Sequence, residues 1–259
     1  MNLLLLSVDS LRWDAVGRTH PHLLTTPKFD SVTADFVFTD RCLSVSTATR
    51  PVHQSVFSGL YPFEHGITGQ HRRQRRRGIP RLMAELSHAG YHVGAFSEAA
   101  SILGGVDIGT TVSDVSAYAP DGLAALRTWL RPGADQQALF MHYWSTHAPY
   151  GAADARALGE TAELVRDGHI GLVEKRYLQA VEDCFELKIA PLLENLDIPT
   201  ALVDAPDHIF MIFDSGVTED HYFGFSLEED RYIERDGRFW IPVEVTKLGE
   251  GSFLEAWEL

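Results

Sequence analysis

Residues 3–8 read Leu-Leu-Leu-Leu-Ser-Val, a run that is apolar almost without a break and then stops at Asp9-Ser10. A strand with one wet face alternates apolar and polar residues, so a near-continuous run predicts a strand covered on both faces, as in a parallel sheet. Such a strand delivers its first polar residues at the carboxyl edge of the sheet, where open α/β proteins bind ligands. Asp9 is thereby a candidate functional residue. The same run, with no basic residue ahead of it, is too short for a signal peptide or a membrane span. It predicts a cytoplasmic protein with no membrane association.

Further strands are predicted over residues 35–39, 91–96, 138–143 and 200–203. Helices are predicted over 50–58, 78–89, 121–130 and 173–196, the last kinked near Pro191. Strands alternating with helices predict an α/β fold, a mostly parallel central sheet with helices on both faces. Residues 151–168, rich in Ala and Gly, read as a bridge into the last helix. From Asp214 onward the texture changes to acidic loops, aromatics and short strand-like runs such as 238–245, a short irregular α+β segment.

Charge follows the same division: residues 1–150 hold 13 Lys+Arg against 12 Asp+Glu, whereas 151–259 hold 9 against 24. The formal charge of -14 argues against nucleic acid as a partner, because a phosphate backbone needs a basic face. A small anionic substrate needs only a local positive site, such as a metal ion. The basic run at residues 71–77 reads as a solvated loop. Cys42 and Cys184 are too few for a disulfide framework and fit a reducing compartment. Oligomeric state is not legible.

Three strings carry chemistry. Thr49-Arg-Pro-Val-His53 leads into Ser58-Gly-Leu-Tyr-Pro62 and then His65-Gly66; His142-Tyr-Trp-Ser-Thr-His147-Ala-Pro-Tyr150 follows a strand; and Asp207-His208 follows the run at 200–203. Taken alone, Thr49 could be a helix N-cap with Pro51 in the first turn, and each histidine a structural one. Together with Asp9, the strings resemble the signatures of the sulfatase and alkaline phosphatase superfamily over residues 1 to about 208.

That resemblance implies a metal-dependent hydrolase of sulfate or phosphate esters acting on a small anionic ester. Thr49 would be the nucleophile at a helix start, with Arg50 and His53 near the substrate and His147 serving the leaving oxygen. Asp9, Thr49, Asp207 and His208 would hold a divalent cation, Ca, Mg, Mn or Zn. Family sulfatases convert Cys or Ser to formylglycine, which Thr cannot become, so Thr49 resembles the phosphodiesterase and phosphotransferase branches. A second register, starting at Ser46, needs Ala48 in place of the family's Pro. Two positions depart from the pattern: Ser10 where many relatives have a second Asp, and Ile209 where they have Gly.

A second resemblance overlaps the first. From about residue 180 the chain is similar to the core of the transglutaminase-like fold, with Cys184 as thiol, His208 as base and Glu244 as orienting carboxylate. Two domains are then implied, 1–208 and 209–259, and the alternatives are a thiol hydrolase or a catalytically inactive hybrid that keeps only the fold. Position on the helix discriminates, since only an N-terminal cysteine has its thiol activated by the amide ends. Tyr177, Ala180, Val181, Cys184 and Leu187 give one apolar face, which predicts a longer helix with Cys184 in a core.

Overall fold

The computed structural model describes residues 2–16, 26–34, 36, 43–70, 76–116, 120–131, 134–151 and 155–196, together with 200–205, 208–218, 233–235 and 238–242. The predicted strand at 35–39, Cys42 and residues 71–75 of the basic run lie largely or wholly outside them.

Four strands, β1 (Leu3–Val8), β2 (His92–Ser97), β3 (Val112–Asp114) and β4 (Gln137–Tyr143), form a parallel sheet in the order β1-β4-β2-β3. β4, the last of these four in sequence, thus lies between β1 and β2, and every residue of it is buried. That position accounts for its apolar, near-continuous composition. Leu4, Leu6 and Val8 of β1 point to one face with Leu139, Met141 and Tyr143 of β4, while Phe140 and Ala95 point to the other.

Helices cover both faces. On the first face lie α1 (Pro27–Val32) with Phe29, and α7 (Ile170–Asp183) with Tyr177 and Val181. On the second lie α2 (Thr49–Ser58), contributing Phe57, and α4 (Leu82–His88), contributing Met83. Phe57 and Phe140 meet edge to face at 4.8 Å. Burying a side chain of this size contributes roughly 1.5–3 kcal/mol. The expected α/β architecture with a parallel sheet is the one found.

Several elements differ from expectation for identifiable reasons. The helix predicted from residue 78 begins only at Leu82, because Gly78 takes φ +75° and Pro80 disfavours a helical residue before it. Residues 151–168, expected as a bridge, contain the helix α6 (Ala155–Arg166). The helix predicted over 173–196 starts at Ile170 and widens into a π-helical stretch, Cys184–Ile189, before α8 (Ala190–Leu196). Pro191 lacks the N–H that an α-helix would bond to the carbonyl of Leu187, and the wider turn just upstream accommodates this. It also rotates Leu187, expected on the buried face, to 66 % exposure.

The strand predicted at 200–203 extends over β5 (Thr200–Ala205) and pairs antiparallel with β6 (His208–Thr218), not with the parallel sheet. Ala205 faces His208 across the shortest of connections, which only antiparallel strands allow. With β7 (Ile233–Arg235) and β8 (Arg238–Pro242) they form a second sheet in the order β5-β6-β8-β7. Among the described residues no helix is long and apolar enough to cross a membrane.

The first-face core holds three groups that bind protons more tightly folded than unfolded. Burial pushes the Cys184 thiol from 9.0 up to about 12, Tyr177 from 10.0 up to about 12, and Tyr143 well above its ordinary value. Acids with raised pKa contribute stability that is complete below the unfolded value and is lost as pH rises towards the folded one. The urea midpoint is therefore expected to fall steadily between about pH 9 and 12, and a Cys184→Ala, Tyr177→Phe protein should lose less over that window.

Candidate active site

Asp9 leaves β1 at the carboxyl edge of the sheet, its amide bonded to the Tyr143 carbonyl at 2.9 Å. Ser10 then takes φ +56°, a left-handed conformation that costs a non-glycine residue roughly 1–2 kcal/mol. Tyr177 clamps this turn: its hydroxyl accepts the Arg12 N–H at 2.6 Å and donates to the Ser10 carbonyl at 3.1 Å. The Thr146 hydroxyl donates to the Asp9 carbonyl at 2.5 Å. Strain held by surrounding structure in this way is a mark of functional positions.

Thr49 meets Asp9 from the start of α2. Ala48, not Thr49, occupies the cap position, with extended angles φ -128° and ψ 137° and no side-chain capping bond. Thr49 is the first helical residue, so its hydroxyl is not spent on the helix. It donates to Asp9 Oδ2 at 2.9 Å. Ser46, the start of the competing register, instead accepts the Ala48 N–H at 3.3 Å.

The Asp9 carboxylate also accepts from the Ser10 hydroxyl at 2.9 Å and from His142 Nε2 at 3.4 Å. Burial alone would push this group up. The hydrogen bonds from His142, Thr49 and Ser10 outweigh burial and hold it well below its ordinary value. Asp9 is thus an anion at every physiological pH.

Arg50 and His53 were expected beside the substrate, and both are turned to bracing. Arg50 donates to the carbonyls of Ile102 at 2.9 Å, Gln70 at 2.5 Å and Ser101 at 3.4 Å. This ties the helix start to the loops around it. His53 is 3 % exposed and lies under the helix, with Nδ1 bonded to the Thr49 carbonyl at 2.7 Å and Nε2 to Ser7 Oγ at 2.9 Å. The rest of the motif is scaffold. Gly59 ends α2 at φ +69°, and Pro62 opens the short helix α3 (Pro62–His65), where Glu64 accepts the Tyr61 N–H at 2.8 Å. His65 accepts the Ile67 N–H on Nδ1 at 3.1 Å, which leaves Nε2–H for Ser55 Oγ at 3.0 Å. Burial lowers its pKa.

His147 sits in the turn after β4, stacked on Trp144 with ring centroids 3.8 Å apart. Its Nδ1–H donates to the Ala148 carbonyl at 2.9 Å. With Ser10, Arg12, Tyr150, Glu174 and Tyr177 it lines an open cleft of about 370 Å³. The turn is held by Glu98, just past β2, whose carboxylate accepts the N–H groups of Trp144 and Ser145 at 2.8 and 2.9 Å and pairs with Lys188. Sequence reading gave no role at the site to Glu98, Tyr177 or His142 itself, since each acts on a residue far away in the chain.

Cys184 is fully buried in the middle of a continuous helical stretch, with its thiol raised to about 12 by burial. An activated thiol needs the opposite environment. Asp207 and Glu244 lie outside the described residues, and His208 is described by its backbone alone, as the first residue of β6. Among the described residues, no group of three or more His, Cys, Asp and Glu side chains is placed to hold a metal ion. The donors that are present, the Asp9 carboxylate and the Thr49 and Ser10 hydroxyls, are the hard oxygen type that divalent cations take.

Solved structures share this fold at low sequence identity. A candidate sulfatase from Bacteroides thetaiotaomicron VPI-5482 matches with a TM-score of 0.55 and 12 % identity, over 78 % of this chain and 57 % of that one. The phosphonate monoester hydrolase of Agrobacterium radiobacter gives 0.53 and 14 %, over 92 % and 66 %. A 2-O GAG sulfatase gives 0.53 and 12 %, over 93 % and 63 %. The chain spans less than two thirds of each of those proteins. No curated protein sequence matches it. The family model described as Sulfatase matches residues 1–181 of the 259, which includes Asp9, Thr49 and His147. On that match the chain belongs to the sulfatase family.

Proposed function

We propose that this protein hydrolyses a small sulfate, phosphate or phosphonate ester with Thr49 as the nucleophile. The observation that carries the reading is the 2.9 Å hydrogen bond from the Thr49 hydroxyl to Asp9, at the start of a helix whose cap is another residue. A threonine used only for local structure would turn its oxygen back to its own helix. Here the oxygen is aimed at an ionised carboxylate on the sheet edge.

Family membership supports a divalent cation, and Asp207 and His208 would join Asp9 and Thr49 around it. Bound there, such an ion supplies neutralisation of the ester anion and a lowered pKa for the nucleophile. Asp9 orients the Thr49 hydroxyl for in-line attack and takes its proton, the amino end of α2 favours the negative charge of the transferred group, and water then cleaves the Thr49 ester so formed, releasing the acid and restoring the hydroxyl. His147 has its Nδ1–H committed to the Ala148 carbonyl, so it delivers a proton to the leaving oxygen from Nε2, and only as the imidazolium.

Turnover of aryl sulfate, aryl phosphate and aryl phosphonate monoesters tests this. Activity on at least one of them is expected, abolished by exhaustive chelation and restored by adding back a divalent cation. A metal-replete protein that turns over none of the three would overturn the reading.

A further inference from the structure

We infer that His142 and His53 are a buried pair of positioning residues beneath the reacting groups, each held in one tautomer between an acceptor of the site and a serine on a neighbouring strand. The roles of Asp9 and Thr49 rest on the proposed function; the tautomers do not. Ser97 Oγ accepts the Ala99 N–H at 3.0 Å and lies 2.7 Å from His142 Nδ1, to which it donates because Asp9, on the other side of the ring, can only accept. His142 is left with its hydrogen on Nε2, facing Asp9 Oδ2 at 3.4 Å. On the other side, the Thr49 carbonyl can only accept, so His53 carries its hydrogen on Nδ1. Its Nε2 then receives the Ser7 hydroxyl at 2.9 Å.

The two relays are built into the sheet. Ser7 and Ser97 are the direct register partners of His142 on β1 and β2, so the three polar side chains stand abreast on one face. His142 and Ser97 are 0 % exposed. The two imidazoles meet edge to face, with ring centroids 5.1 Å apart and an interplanar angle of 83°. Neither ring reaches the cleft. One holds the Asp9 carboxylate, the other the backbone of Thr49, and Asp9 Oδ2 is where the His142 and Thr49 hydrogen bonds converge. The pair thereby fixes the carboxylate and the nucleophile relative to each other.

Imidazole ¹H–¹⁵N correlation spectra of Ser97→Ala and Ser7→Ala proteins, alongside wild type, test the assignment without any turnover. His142→Gln and His53→Gln identify the signals. Wild type is expected to show His142 with hydrogen on Nε2 and His53 with hydrogen on Nδ1, and each serine variant to perturb only its own histidine. The kinetic arm uses whichever ester wild type hydrolyses: Ser97→Ala should lower kcat roughly 10-fold with KM unchanged, and Ser97→Thr, which keeps the hydroxyl, should recover most of it. Absence of turnover in wild type counts against the proposed function, while the spectra still decide the pairing. His142 carrying its hydrogen on Nδ1, imidazole signals unchanged in the serine variants, or full kcat in Ser97→Ala would overturn the inference.

Discussion

Replacing Thr49 by alanine is expected to lower kcat by on the order of 10³-fold or more, because it removes the atom that forms the bond to the transferred group. The fold should not suffer. Thr49 is not a cap, alanine is well suited to a first helical turn, and Asp9 keeps its bonds from Ser10 and His142. Circular dichroism and the urea midpoint of Thr49→Ala should match wild type, separating loss of chemistry from loss of structure. Thr49→Ser, which preserves the hydroxyl, should keep measurable turnover. Full activity in Thr49→Ala would sink the assignment and return Ser46 to consideration as the nucleophile.

A large stability effect is expected at Gly94, in the middle of β2. A Cβ there would lie 2.4 Å from Trp129 Cε2 and 2.6 Å from its Nε1. The indole has little room to give way, since its N–H donates to the Val93 carbonyl at 3.1 Å and its ring stacks on His92 with centroids 5.0 Å apart. Trp129 belongs to α5 (Pro120–Trp129), so the clash pushes that helix off the sheet. Gly94→Ala should cost about 2–3 kcal/mol, the upper part of the range for overpacking a well-filled site, read as a lowered urea midpoint. In a Trp129→Phe background the additional loss should shrink, because the two residues are in contact. Gly159, exposed in α6 with nothing near its missing Cβ, is the control, and Gly159→Ala should stabilise slightly. An equal response at both glycines would refute the packing account.

Much of the parallel sheet was legible because its signals are local. The apolar run before Asp9, the run before His142 and the alternation of strands with helices each depend on residues close in the chain. The start of α2 was legible to within a residue for the same reason. What failed was non-local. Leu187 could not be placed without the π-helical stretch, and the strand after residue 199 could not be assigned a partner from its own composition. Arg50 and His53 were legible as neighbours of Thr49, but their hydrogen-bond partners were not. Charge and ring chemistry suggested substrate contacts, whereas nearby carbonyls and Ser7 claim their donors and acceptors.

The sequence by itself determined that Asp9 would emerge at the carboxyl edge of a buried parallel strand and that Thr49 would open a helix, since hydrophobic period and helix boundaries are written in short stretches. Only the tertiary structure decided that the two meet. Residues forty positions apart approach because β1 and α2 pack on one sheet, and which side chains line up on that sheet depends on strand order and register. Those are settled by the packing of the whole core, as Ser7, His142 and Ser97 standing abreast make plain.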